Sequence, residues 1–243
     1  MMCKLLIFSG AGISADSGVQ TFRDKGGLWE GHSVEQVCSA HSWKRNADAV
    51  HRFYNARRQE LKTVEPNEAH HMVKRMQDRF GAVVITQNVD DLFERAGCRD
   101  VVHVHGSILD MKCEACGNLW SIGNDAWDHT EQRCPSCLSK KGVRPGIVMF
   151  GDMAPEYRTM ERHLGALVEA RGCLVVIGTS GQVVDIGSIA EEIPGHTILS
   201  NLDSGSDDEA GISDAQFKQV LHGRASVMAA QIEAAIVATM EAM

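Results

Sequence analysis

Short apolar runs punctuate the chain, each giving way abruptly to small or polar residues. Lys4-Leu5-Leu6-Ile7-Phe8, Val83-Val84-Ile85, Val101-Val102-His103-Val104, Cys173-Leu174-Val175-Val176-Ile177 and Thr197-Ile198-Leu199-Ser200 are too short for buried helices and rich in β-branched residues. Such runs predict strands buried on both faces of a parallel sheet. Between them lie stretches with helical spacing. Val34 to Leu61 carries Ala49, Val50, Phe53, Tyr54, Ala56 and Leu61 at positions one helix could bury, and Pro66-Asn67-Glu68 opens a second helix from His70 to Phe80. Further helices are expected from about Pro155 to Ala170 and from Ala225 to Met240, with another strand and a turn in Val143 to Asp152. The alternation of strand and helix predicts an α/β fold, a Rossmann-like, mainly parallel sheet with helices on both faces. Asp203 to Asp214, a run of Ser, Gly and acidic residues, reads as an exposed loop, and no internal repeat is present.

In an open α/β sheet the carboxyl ends of the strands form the ligand-binding edge. Here those ends carry chemistry. Val83-Val84-Ile85 runs into Thr86-Gln87-Asn88-Val89-Asp90, and the next strand ends in His105-Gly106, so an amide, a carboxylate and an imidazole meet one crevice. The first strand continues as Gly10-Ala11-Gly12-Ile13-Ser14-Ala15, a G-x-G-x-x-A pattern whose glycines allow a tight turn and close approach to a pyrophosphate. A plain glycine turn is the competing reading. An ordinary dehydrogenase would place an acidic ribose anchor about 20 residues on; Thr21 to Trp29 is instead a polar, glycine-broken loop. Gly178-Thr179-Ser180 and Asn201 end two later strands and suit phosphate or ribose contacts.

Eight cysteines invite a disulfide reading, but four stand as Cys113-x-x-Cys116 and Cys134-x-x-Cys137, with 17 residues between the pairs. That is zinc-ribbon spacing, and four thiolates fill a tetrahedral shell, so the metal would be one structural Zn2+ with no position left for water. Cys3, Cys38, Cys98 and Cys173 are isolated and expected to be reduced thiols. Tyr54 and Arg57, three residues apart, share a helix face and could offer a phenol and a guanidinium fork to a carboxylate; the plainer reading is a packed tyrosine and a solvated arginine. His70 and His71 are expected on the helix surface. A net charge of −8 argues against a nucleic-acid partner. No stretch approaches the ~20 apolar residues of a membrane span, and Met1 to Phe8 is too short for a signal peptide, so a cytoplasmic protein is expected; a monomer is also expected.

Taken in order, Gly10-Ala11-Gly12-Ile13-Ser14-Ala15, Thr21-Phe22-Arg23, Thr86-Gln87-Asn88-Val89-Asp90, His105-Gly106, the four zinc cysteines, Phe150-Gly151, Gly178-Thr179-Ser180 and Asn201-Leu202 resemble the sirtuins, NAD-dependent protein-lysine deacylases. Tyr54 and Arg57 resemble the pair that, in the bacterial and mitochondrial branch, receives the carboxylate of succinyl- or malonyl-lysine; Cys38 stands where that branch usually has alanine. The resemblance implies an NAD-binding domain from 1–30, 80–110 and 143–243, a helical part of a small domain at 31–79, and a zinc-ribbon module at 111–142. It implies NAD contacts from Gly10, Ala11, Gly12, Ala15, Phe22, Arg23, Gln87, Asn88, Asp90, Gly178, Thr179, Ser180, Asn201 and Ala225. His105 would act as general base with Asn88 and Asp90 beside the nicotinamide, and His103 is the nearby decoy. Strand alternation puts both histidines on one side, so only the family pattern favours His105. Val148, Phe150 and Gly151 would pair with the backbone of an acylated-lysine substrate, releasing nicotinamide, O-acyl-ADP-ribose and free lysine. Two other readings are an NAD hydrolase or ADP-ribosyltransferase of the same family, and a non-enzymatic zinc-ribbon binding module.

Overall fold

The computed structural model describes residues 3–20, 28–29, 32–203 and 211–243. In chain order its elements are β1 (Leu5–Ser9), β2 (Leu28–Trp29), β3 (His32–Ser33), α1 (Val34–Val37), α2 (Ala47–Leu61), α3 (Glu68–Phe80), β4 (Val83–Thr86), α4 (Leu92–Arg95), β5 (Val102–His103), β6 (Gly106–Cys113), β7 (Leu119–Ser121), β8 (Val143–Ile147), α5 (Tyr157–Glu169), β9 (Cys173–Ile177), α6 (Ile186–Glu192), β10 (His196–Asn201), β11 (Gln219–His222) and α7 (Ala225–Glu241). Among the described residues the main sheet has the order β11-β10-β9-β1-β4-β5 and is parallel throughout.

The apolar runs became strands because their side chains feed two cores at once. Leu5, Ile7, Val84, Val175 and Ile177 face α3 and α7, packing with Met72, Val73, Ile232 and Ile236. Their neighbours Leu6, Phe8, Ile85, Leu174 and Val176 point the other way, onto Met160, Leu164 and Leu167 of α5 and Ile186 of α6. Every residue of β9 is buried, and each such side chain contributes about 1.5–3 kcal/mol on leaving water.

The long helix expected from Val34 to Leu61 is broken. Between α1 and α2 the chain turns through Cys38 to Asn46, because Ser39 bridges Phe150 instead of continuing the helix. There the Ala40 amide donates to the Phe150 carbonyl (2.9 Å) and the Phe150 amide to the Cys38 carbonyl (2.9 Å). His70 also departs from expectation. It is fully buried, its Nδ1 accepting the Asn67 amide (3.2 Å), while His71 stays exposed. Of the acidic loop, 204–210 lies outside the described residues, but Ile212 packs into the α5 side of the core and Asp214 pairs with His222 at 2.9 Å. Strand β11 and helix α6 lack an apolar run long enough to announce themselves.

A second, antiparallel sheet of order β7-β6-β8 extends to both sides of 111–142, from Gly106 to Ile147. Its far end carries Cys113, Cys116, Cys134 and Cys137, whose Sγ atoms all lie within 4.8 Å of one another, with 3.6 Å between Cys113 and Cys137 and 3.7 Å between Cys116 and Cys134. A tetrahedron with Zn–S bonds of about 2.3 Å has edges of about 3.8 Å, so the donor set fits one zinc ion. Cys113 and Cys134 are buried with Met111, Trp127 and Val143, a small cluster at the cysteine-bearing end of the sheet, whose other end packs on α2 through Ile108 and Ile147. Stripping the metal with a strong chelator, or Cys134→Ser, is expected to release one zinc per chain and to red-shift tryptophan emission as Trp127 loses its packing. Metal loss without any change in emission would show that the sheet stands without the ion.

Candidate active site

Parallel register brings three strand ends level. Ser9 lies opposite both Thr86 of β4 and Ile177 of β9, so the residues that follow β1, β4 and β9 enter the same space. Strands β4 and β9 leave β1 on opposite sides, and a cleft opens where the strand order diverges. The loop after β1 makes two short 3-10 turns, 11–13 and 15–17, anchored by buried Ile13. It lies hard against the loop after β9: the Gly12 amide donates to the Gly178 carbonyl at 2.8 Å. A Cβ on Gly10 would come within 2.7 Å of Thr179 Cβ, and one on Gly12 within 2.7 Å of Gly178 Cα. Glycine is therefore required at both positions.

The cleft encloses about 850 Å³. Gly10, Ala11, Gly12, Ala15, Gln87, Asn88, Asp90, His105, Val148, Phe150, Gly151, Gly178, Thr179, Ser180, Asn201 and Ala225 all line it, as does Cys38. Phe22 and Arg23 lie outside the described residues. Tyr54 and Arg57 are not among the described lining residues. The Tyr54 side chain is fully buried with its hydroxyl against Cys38, so among the described residues it reaches the cleft through that thiol. Arg57 pairs with Glu60 at 2.8 Å and lies over the Phe53 ring. The neighbouring Arg58 is the buried arginine, its Nε donating to the Ile108 carbonyl at 2.6 Å.

The two histidines separate because β5 ends at His103 and the chain turns before Gly106, so strand alternation no longer governs position 105. Gly106 has φ +77, and a Cβ there would meet the Gly146 carbonyl at 2.3 Å, so this turn too requires glycine. Each ring then meets different partners. His103 faces two acceptors, the Asn88 carbonyl at 2.8 Å and Glu94 at 2.9 Å. Burial opposes its charge, but Glu94, the Asn88 carbonyl and Asp90 outweigh that and raise its pKa. His105 donates from Nδ1 to the Gln87 carbonyl at 3.1 Å, leaving the Nε2 lone pair towards the cleft and Tyr157. Burial lowers its pKa, only partly countered by Gln87, so the ring is neutral and basic near pH 7.

Behind Asn88 lies a buried polar node centred on Ser14, which the hydrophobic pattern did not announce. Because His70 Nδ1 accepts from Asn67, its Nε2 carries the proton and donates to Ser14 Oγ (3.3 Å). Asn88 Nδ2 also donates to Ser14 Oγ, at 3.0 Å. The hydroxyl has one proton left, and it goes to Asp90. Asp90 also accepts the Leu92 amide at 3.2 Å, yet burial dominates and raises its pKa. The spacing of Asn67 and His70, an N-cap and its third helical residue, was the available signal. Asp16 gave no signal of its own: it accepts from Ser226 Oγ at 2.6 Å and pairs with Arg224 at 3.1 Å, tying the β1 loop to the start of α7.

On the far wall the expected substrate-pairing segment is partly committed. The Val148 amide donates to the His105 carbonyl at 2.8 Å, and both backbone groups of Phe150 are taken by Cys38 and Ala40. Pairing by 148–151 is restricted to the groups this leaves. Asn201 likewise spends its amide on Thr179, accepting from its N–H (3.1 Å) and donating to its carbonyl (2.9 Å). By contrast Ser200 Oγ is buried without a hydrogen-bond partner among the described residues. An orphan hydroxyl and a glycine-floored cradle, both at strand ends, fit a phosphate- and ribose-bearing ligand such as NAD.

Residues 10–185 match the Sir2 family. The chain is 45% identical over 191 residues to an NAD-dependent protein deacylase of Campylobacter jejuni, covering 78% of this chain and 79% of that one. Among solved structures, a mutant Sir2 homologue complexed with ADP-ribose superposes with a TM-score of 0.82 at 29% identity, covering 98% of this chain and 94% of the other. A Sir2 homologue–NAD complex gives 0.80 at 30% identity, covering 96% and 89%.

The buried His70 has a pKa lowered to about 4, chiefly by desolvation. From pH 6.5 down to 4 the unfolded chain takes up a proton here that the folded chain refuses, so stability falls with pH by up to ~3 kcal/mol from this group. His70→Gln is expected to flatten that slope in urea unfolding measured across the same range; an unchanged slope would show that His70 is not buried neutral.

Proposed function

Because this chain belongs to the Sir2 family, we propose that it is an NAD-dependent protein-lysine deacylase whose substrates include succinyl- and malonyl-lysine as well as acetyl-lysine. The single observation that carries this reading is convergence: a neutral imidazole, a buried amide–carboxylate pair and a glycine cradle share one 850 Å³ cleft. Bound NAD would supply a ribose carbon that releases nicotinamide and accepts the acyl oxygen of the modified lysine.

Each residue's part follows from its surroundings. Gly10, Ala11, Gly12 and Ala15 from one loop, and Gly178, Thr179 and Ser180 from the other, bring backbone close to the pyrophosphate. Gln87 ties the end of β4 to the second of these loops, its Nε2 donating to Thr179 Oγ1 at 2.8 Å. Asn201 and Ala225 border the adenosine end. Asn88 and Asp90, oriented by Ser14, stand at the nicotinamide end. His105 takes a proton at Nε2 from a ribose hydroxyl, which its neutral state and cleft-facing lone pair permit. Cys113, Cys116, Cys134 and Cys137 would hold the zinc ion, which would tie together the far end of the small sheet and take no part in the reaction.

The acidic-acyl preference rests on the neighbourhood of Cys38. That thiol lines the cleft and touches the Tyr54 hydroxyl, which puts the middle of α2 behind the pocket wall. Arg57, one turn further along α2, is held by the exposed Glu60, a pair worth at most about 1 kcal/mol. An acyl carboxylate reaching it could exchange with Glu60 at little cost, and the guanidinium fork would bind it in two places.

An acyl-peptide panel assayed with and without NAD tests the whole reading. O-acyl-ADP-ribose is expected only with both substrates present; free ADP-ribose formed without peptide would favour NAD hydrolysis instead. His105→Ala is expected to lower turnover by about 10²–10⁴-fold while NAD binding survives, and near-normal turnover would refute its role as base. With burial lowering its pKa, the acid limb of the wild-type kcat/KM profile should lie below pH 6.5. Arg57→Met should impair desuccinylation at least tenfold more than deacetylation, as expected for a lost charge-assisted pair worth about 1.5–3 kcal/mol; equal losses would remove Arg57 from the acyl site.

A further inference from the structure

The hydroxyl of Tyr157 lies 3.1 Å from His105 Nε2, the two ring centroids 6.0 Å apart, and both residues line the cleft. Tyr157 is the first residue of α5, and its amide donates to the Ala154 carbonyl at 3.2 Å. Its ring packs against the core on the α5 side of the sheet. Both the start of the helix and the ring's packing therefore fix where the hydroxyl can reach.

The direction of the bond follows from the other side of the imidazole. Nδ1 is committed as donor to the Gln87 carbonyl, so in the neutral ring Nε2 has only a lone pair and the tyrosine must be the donor. Burial raises the Tyr157 pKa, which keeps that proton in place. A neutral imidazole nitrogen has one in-plane lone pair, and one donor fills it. A ribose hydroxyl cannot hand its proton to Nε2 while Tyr157 occupies that position.

We propose that Tyr157 is a positioning residue that caps the base. In the unliganded protein its hydroxyl occupies the place of the substrate hydroxyl on His105, holding the ring in its reactive tautomer, and it is displaced when the ribose arrives. This rests on the reading of His105 as general base. The step is a hydrogen-bond exchange: Tyr157 O–H leaves Nε2, the ribose O–H replaces it, and the proton subsequently moves from ribose to Nε2.

The cap has a kinetic signature that simple packing lacks. It stabilises neutral His105 in the free protein only, because in the reacting complex Tyr157 has left. Tyr157→Phe keeps the ring and removes the bond. The variant is therefore expected to shift the acid limb of kcat/KM upward by about half to one pH unit, while the limb of kcat stays put and turnover changes by less than about threefold. The other titratable groups lining the cleft among the described residues, Asp16, Cys38, Asp90, Asp152 and Arg224, are unaltered by this substitution. Nitrogen-15 NMR of His105 gives a second measurement on the wild-type protein. Its Nε2 resonance should show a hydrogen bond without ligand and should change on saturation with ADP-ribose.

Three results would overturn the proposal. Unmoved limbs together with an unmoved His105 titration in Tyr157→Phe would mean that the hydroxyl does not cap the base. Turnover lowered by two orders of magnitude or more in the same variant would mean that Tyr157 stays on the imidazole during reaction. Near-normal turnover in His105→Ala would remove the base reading itself, and the cap with it, even if the NMR bond were present.

Discussion

The close approach of two loop backbones underlies the whole site. Gly10 and Gly12 lie against Gly178 and Thr179 at distances no Cβ could tolerate, and the Gly12 amide is spent on the Gly178 carbonyl. That contact is possible only because β9 and β1 are parallel and in register to their last residues. The same register on the other side sets Ser9 against Thr86, whose hydroxyl then accepts both the Ser9 hydroxyl and the Asn88 amide at 3.0 Å. The apolar strands thus do more than fill a core. Their common end point determines where the polar segments after β1, β4 and β9 enter the cleft.

Within that frame, partners rather than residue types decide the chemistry. His103 and His105 are two residues apart and both substantially enclosed, yet a carboxylate and a carbonyl raise the pKa of one while burial lowers that of the other. The Ser14 node works in the same way. Its single hydroxyl accepts from two donors and donates a hydrogen bond to Asp90, so the amide, the buried histidine and the carboxylate are oriented together. A half-satisfied version of this network would be costly in so dry a setting, which argues that these groups act as a unit.

The small sheet contributes the opposite wall. Arg144, almost wholly buried in β8, holds Asp152 at 2.8 Å and Glu114 at 3.1 Å, and Asp152 in turn accepts the Met149 amide at 2.9 Å. Through these bonds the cysteine-bearing end of the sheet is mechanically continuous with the segment from Val148 to Asp152 that lines the cleft. A metal held by the four cysteines would therefore be coupled to the shape of this wall of the cleft.

Much of this was legible in one dimension. Hydrophobic runs of three to five residues identified every strand of the parallel sheet except β11, because a strand buried on both faces admits little but apolar side chains, and the glycine spacing and the two CxxC pairs report local geometry directly. Interactions between distant segments were not legible. Nothing in the sequence near Val34 to Leu61 signals that Ser39 would bridge Phe150 and break the helix, or that His70 would be drawn inside by Ser14, fifty-six positions away. Which histidine faces the cleft, where Arg57 points and what meets His105 Nε2 were likewise decided by packing, since each depends on a partner that only the folded chain brings near. Periodicity encodes which face of an element is buried; it carries no record of what will be found there.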